Sequence, residues 1–282
     1  ASRGLGDVYK RQLISKAVAE NQLYFSVANT MNESVCTEAM KFFTESIVFS
    51  REFEDIPGQI RFNYNNNNVL KSMKQYAQRA DVGIIDMKFD MKNTEIDVDD
   101  TIPENAPPEL SRALKSFVSA LSDNSQAKIQ RNEIKARTYH TGVNKKGELG
   151  QYELSLEDES DGTHRLMALA PAIDRVIDNG GIFVADELEK GLHPLLTEYI
   201  VNKFQNSEIN KNHAQLIFTT HDTEIMRQHF LDADQFYFVD KDRQTGESEL
   251  YSVDGLGKKS NADIRTGYLI GKFGGIPELG DE

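Results

Sequence analysis

Apolar residues recur every three or four positions in several stretches of this chain, the mark of a helix with one face turned to a core. Residues 13–20 and 34–46 read this way, the second with Ser34 as N-cap and Val35, Ala39, Phe42 and Phe43 as its apolar stripe. Residues 47–49 follow as a short apolar strand. Residues 58–68, with asparagine at every position from 65 to 68, predict an exposed loop that ends by capping a helix over 69–81. A strand is expected over 82–91, and the acidic stretch 93–108, with its three prolines, predicts a solvent loop or linker. A helix over 109–121 comes next, then strands over 133–139 and 152–156 flanking the turn Asn144-Lys145-Lys146-Gly147.

Beyond Ser160 the rhythm changes to helices alternating with short apolar strands. Helices are expected over 163–177 and 194–204, and strands over 181–185, 215–219 and 235–239. That alternation predicts an α/β fold with a mostly parallel sheet covered by helices, joined to an irregular α+β lobe. The lobe is assigned to 13–128 and the core to 129–282. Residues 1–12 have no initiator Met and resemble a translated adapter tail. They are expected to be a non-native leader, with the natural protein beginning upstream and this chain truncated at its N-terminus.

Composition narrows the classes. Hydrophobic residues make up 39% and charged residues 27% of the 282 positions, and no apolar run approaches the roughly 18 residues of a membrane span. The 32 basic and 45 acidic residues leave a net charge of −13, which repels a phosphate backbone unless basic groups gather on one face. Nucleic acid is therefore permitted as a partner but not implied, and no membrane partner is expected. Cys36 is the single cysteine, so neither an intrachain disulfide nor a cysteine zinc cluster can form, and a cytoplasmic location fits.

Three places carry candidate chemistry. Gly181-Ile182-Phe183-Val184-Ala185 ends in Asp186 and Glu187, and parallel sheets place their reactive groups at such strand ends. An Asp there can serve a Mg²⁺ shell and a Glu can polarise an attacking water, although two acids opening a loop after a buried strand is an equally open reading. Gln215-Leu216-Ile217-Phe218-Thr219-Thr220 ends in His221, which can orient a water against a phosphoryl group or simply cap the surface. Glu159-Ser160-Asp161-Gly162-Thr163-His164-Arg165 opens an apolar helix, where unpaired backbone N–H groups can meet phosphate oxygens or an ordinary cap.

In this order and spacing the three places resemble the signature loop, Walker B strand and switch histidine of ABC-type ATPases. That superfamily includes transporter nucleotide-binding domains, structural-maintenance-of-chromosomes heads and overcoming-lysogenisation-defect nucleases. The wording Asp186-Glu187-Leu188-Glu189-Lys190-Gly191-Leu192-His193-Pro194, the pair Thr220-His221 and the ending from Arg265 through Tyr268, Gly271 and Gly274 to Pro277 are similar to bacterial AAA-family ATP-binding proteins of abortive infection and phage defence. The resemblance implies ATP and Mg²⁺ as cofactors, Asp186 in the metal shell, Glu187 as general base and His221 as γ-phosphate sensor. Ser160, Gly162, Thr163 and Arg165 would meet nucleotide held by a second subunit, 191–194 would form the contact loop between subunits, and a homodimer would sandwich two ATP molecules. An effector protein would be a further partner.

The chain departs from the family in two ways. The phosphate-binding loop G-x-x-x-x-G-K-[ST] occurs nowhere in it, so these residues alone are expected to bind and hydrolyse ATP poorly. The signature loop reads Ser-Asp-Gly-Thr, with a negative charge at Asp161. Two rivals stay open: a non-catalytic partner that lends its signature loop to an intact subunit, and a metal-dependent nuclease built on Asp186, Glu187, Asp222 and Glu224.

Overall fold

The computed structural model describes residues 5–53, 55–80, 83–97, 107–121, 128–242, 244–253 and 261–276. They form a mixed α/β protein of two compact units, one of residues 1–52 with 172–282 and one of residues 53–171. The boundary expected at 128 thus lies inside the second unit.

The first unit opens with helices α1 (Leu5–Ala17), α2 (Tyr24–Thr30) and α3 (Ser34–Lys41). Most of the expected leader is therefore helical, and Lys10 and Arg11 reach the turn before α3, at the Asn32 carbonyl (2.8 Å) and Glu33 (3.6 Å). The α3 cap is Glu33, not Ser34: its carboxylate accepts from the Cys36 N–H at 3.1 Å. The stripe expected to be buried is largely exposed, with Val35, Phe42 and Phe43 all open to solvent. A π-helical turn over Phe42–Ser46 shifts the helical phase there and leads into strand β1 (Ile47–Phe49).

The second unit starts with α4 (Ile56–Asn63), where a loop was expected. Asp55 caps it by accepting from the Gly58 N–H at 3.0 Å, and Ile56 and Ile60, one turn apart, are both buried. That apolar pair outweighs the turn-forming Gly58 and the asparagines. Asn66 then caps α5 (Asn67–Ala80), accepting from the Asn68 N–H at 3.2 Å. A three-stranded antiparallel meander follows, of β2 (Ile84–Asp97), β3 (Lys128–Val143) and β4 (Leu149–Ser155), with α6 (Pro108–Leu121) between the first two. The strand β2 runs into the stretch expected as linker, whose residues 98–106 lie outside the described ones. A bulge between Ile84 and Asp86 lets Ile84 and Met87 both enter the core despite their odd spacing.

Helix α7 (Asp161–Asn179) continues from the second unit into the first, with Pro171 at the division. It ends in a Schellman turn: Gly180 takes φ +72°, and the Gly181 N–H donates to the Val176 carbonyl at 3.1 Å. A Cβ on Gly180 would come within 2.4 Å of the Asn212 carbonyl oxygen, so only glycine fits.

The chain then enters β5 (Ile182–Ala185), helix α8 (Pro194–Gln205) and β6 (Gln215–Phe218). The sheet order is β1-β5-β6 and both pairings are parallel. Phe183, Ile173, Leu188 and Ile200 are fully buried in this unit. The last expected strand does not extend the parallel sheet. Strand β7 (Tyr237–Lys241) pairs antiparallel with β8 (Ser248–Ser252), because the intervening segment is too short for a parallel crossover and is tied into a turn by Asp242, which accepts from the Gln244 and Thr245 N–H groups. Helix α9 (Asn261–Leu269) packs Ile264 with Phe238, Val253 and Phe273 into a small core of its own. Among the described residues no helix is long and apolar enough to cross a membrane.

Candidate active site

Because β1, β5 and β6 run parallel, their carboxyl ends open on one edge of the sheet. Pairing continues one step past the strands, where the Thr219 N–H donates to the Ala185 carbonyl (3.0 Å) and the Leu188 N–H to the Thr219 carbonyl (3.1 Å). This brings together three residues singled out in the sequence, Asp186 and Glu187 on the Thr219 side chain and His221 beside Glu187.

The Thr219 hydroxyl donates to Asp186 Oδ1 at 2.7 Å and accepts from the Glu187 N–H at 2.8 Å. Asp186 Oδ2 takes the Arg51 guanidinium at 2.6 Å, from the chain just beyond β1. The Thr219 hydrogen bond, and after it the Arg51 guanidinium, hold the Asp186 carboxyl below its ordinary range. Glu187 sits at φ +48°, a left-handed backbone that costs a non-glycine residue on the order of 1–2 kcal/mol. Its carboxylate lies 3.6 Å from His221 Nε2, and both side chains are open to solvent. Glu189 accepts from the His221 N–H at 2.7 Å and so fixes the backbone from which the imidazole projects. His193 and Pro194 form the start of α8, where His193 Nδ1 accepts from the Leu195 N–H at 3.3 Å.

An exposed ionised carboxylate at a strand end fits Mg²⁺, which takes one or two protein oxygens and completes its shell with water and phosphates. Replacing Thr219 by Val should raise the Asp186 pKa toward the ordinary Asp value, followed by carboxyl carbon-13 NMR against pH. Because the folded-state pKa is depressed, this interaction stabilises the fold above the ordinary carboxyl range and fades as pH falls through the depressed value. The Thr219→Val chain should lose part of that acid-side dependence, and an unmoved titration would assign the depression to Arg51 alone.

The loop before α7 belongs to the other unit. Ser160 Oγ accepts from the Thr163 N–H at 3.2 Å and meets the Thr163 hydroxyl at 2.9 Å, so Ser160 is the N-cap of the helix. Thr163 is buried and its hydroxyl serves that cap, while Ser160 and Asp161 are exposed and Gly162 and Arg165 are half-buried. Beneath the loop is a cluster that the sequence reading missed. Glu159 Oε1 accepts from the Thr138 hydroxyl and lies 2.7 Å from His140 Nε2; Thr138 and His140 are buried, and Glu159 is half-buried with its side chain turned inward. The available signal was the alternation of β3, in which Ala136, Thr138 and His140 share the buried face, so that two polar residues occupy core positions. Arg51 was also missed; its signal was a cation two residues past a short apolar strand.

Asp222 and Glu224 do not join the carboxylates. Asp222 accepts from the Glu224 N–H at 2.9 Å to start a 3₁₀ turn, and Glu224 is held by Arg227 (3.2 Å) and Arg265. Among the described residues no three His, Cys, Asp or Glu side chains gather as a metal-binding group.

A family model described as "AAA domain, putative AbiEii toxin, Type IV TA system" matches residues 39–227. The matched stretch takes in β1, the loop before α7, the Asp186–Glu187 pair and His221. No curated protein matches the chain.

Proposed function

Because the chain belongs to this AAA-domain family, we propose that it carries the hydrolytic side of an ABC-type ATP site. The observation that supports this most is the single threonine hydroxyl that ties the Asp186 carboxylate to the Glu187 backbone, with His221 3.6 Å from the Glu187 carboxylate.

Each residue has a distinct role in that reading. Asp186, kept ionised by its two partners, would hold Mg²⁺. Held there, Mg²⁺ would neutralise phosphate charge. Glu187 accepts the proton of the attacking water, and its left-handed backbone aims the carboxylate off the end of β5. His221, anchored by Glu189, donates to the transferred phosphoryl group. Ser160 and Gly162 face the γ-phosphate of nucleotide held by a second copy, the arrangement that makes a homodimer. No G-x-x-x-x-G-K-[ST] lies within these 282 residues, so in this reading the cradle for the β-phosphate is supplied by another segment or another subunit. The family description favours abortive infection or a toxin–antitoxin system as the setting, in the cytoplasm and with an effector protein as partner.

The test is Mg²⁺-dependent phosphate release by the natural full-length gene product. Saturable turnover abolished by EDTA is expected. The missing phosphate-binding loop favours one other reading, a non-catalytic partner of an intact ATPase subunit. Nucleotide binding without turnover, together with stimulation of such a subunit, would select it.

A further inference from the structure

Both carboxylate oxygens of Asp186 are occupied: Oδ1 by the Thr219 hydroxyl at 2.7 Å and Oδ2 by the Arg51 guanidinium at 2.6 Å. A metal ion arriving at this carboxylate must displace one of the two. Thr219 is the harder to move, because its hydroxyl also accepts the Glu187 N–H and its backbone is bonded on both sides of the strand end. Arg51 is the easier. It is 76% exposed, on a long flexible stem, and an exposed ion pair of this kind is weak in water.

We propose that Arg51 is an exchanging cation of the site, one that neutralises Asp186 when the site is empty and turns to the phosphates of the metal–nucleotide when Mg²⁺ takes the carboxylate. The proposal rests on the reading of Asp186 as the metal carboxylate. A guanidinium released at the open ends of β1 and β5 is within reach of whatever anion the metal carries in. Its planar donors suit two oxygens of a phosphate far better than the single point charge of a lysine would. The ligand class is therefore a metal-bound polyphosphate. Arg51 opposes the bare metal and favours the metal–polyphosphate, which sets the order of loading: metal and phosphate enter together.

The experiment compares the natural chain with Arg51→Ala, Arg51→Lys and Asp186→Asn, each checked for an unchanged far-UV circular dichroism spectrum. Manganese binding is read by electron paramagnetic resonance, with Mn²⁺ alone and with Mn²⁺ plus inorganic tripolyphosphate, so that neither hydrolysis nor an adenine site is needed. Arg51→Ala should bind Mn²⁺ alone about 2- to 5-fold more tightly, since an exposed competing cation has gone. It should bind Mn²⁺–tripolyphosphate about tenfold more weakly, since a charge-assisted phosphate contact has gone. Arg51→Lys should keep the competition with the bare metal and lose much of the phosphate gain. Equal changes of the same sign in both titrations, or no change in either, overturn the exchange. If Asp186→Asn leaves Mn²⁺ binding untouched, the carboxylate reading fails first and the exchange with it, a result separate from a failure of Arg51 alone.

Discussion

If Glu187 is the proposed base, Glu187→Gln should slow ATP hydrolysis about 10²- to 10⁴-fold, a loss of about 3 to 5 kcal/mol of barrier stabilisation. The substitution is nearly isosteric and leaves the residue in its φ +48° backbone, so the hydrogen bond from its N–H to Thr219 and the turn to Lys190 persist. What is lost is the proton acceptor. The amide side chain can still lie beside His221, but it cannot take a proton from water. ATP binding should not weaken, because removing a negative charge near the γ-phosphate lowers repulsion. Phosphate release and nucleotide affinity, measured on the same preparation, check both halves. Unchanged turnover would move the base elsewhere; parallel losses in turnover and affinity would make Glu187 a structural residue.

The second large effect is on stability. Glu159→Ala should destabilise the protein by about 3 kcal/mol, because it removes the acceptor that the Thr138 hydroxyl and His140 Nε2 share and leaves these two buried groups only their 3.3 Å contact with each other. The side chains of His140 and Glu159 are 5% and 3% exposed, so water cannot replace the lost oxygen without entering the core. For a chain of this size the change corresponds to a fall in Tm of roughly 6–12 °C. Glu159→Gln keeps an acceptor at the same place and should cost about 1 kcal/mol. Thermal unfolding of the two variants checks this, and equal losses would mean that the charge of Glu159 matters rather than its role as acceptor. Since Glu159 directly precedes Ser160, the same cluster anchors the start of the loop before α7 to β3.

Much of the local structure was legible along the chain. The strands β5 and β6 and the helices α5, α7 and α8 follow from apolar periodicity and from caps and stops that act within one turn, such as Asn66 before α5 and Gly180 after α7. The readings that failed were those in which two local signals disagreed. At 58–63 asparagine and glycine argued for a loop, while Ile56 and Ile60 argued for a helix and prevailed by burial. At 34–46 the apolar spacing was right for a helix, but Val35, Phe42 and Phe43 are exposed, and periodicity alone cannot say whether a partner covers the face it marks. The strand expected over 235–239 was real, yet it pairs back on β8, since the length of a connection decides between a hairpin and a crossover.

The sequence by itself determined which residues could do the chemistry and on which elements they stand: the carboxylates after β5, the histidine after β6 and the capped loop before α7. These follow from short-range rules, because a strand end, a cap or a turn is set by neighbours a few positions away. Only the tertiary structure decided how the groups are partnered. It placed Arg51 on Asp186, Thr219 between Asp186 and Glu187, Glu189 beneath His221, and Glu159 on Thr138 and His140. Each of these contacts joins residues far apart in the chain. Parallel pairing and core packing bring such residues together, and no local pattern in the sequence records which distant strand end will lie beside which.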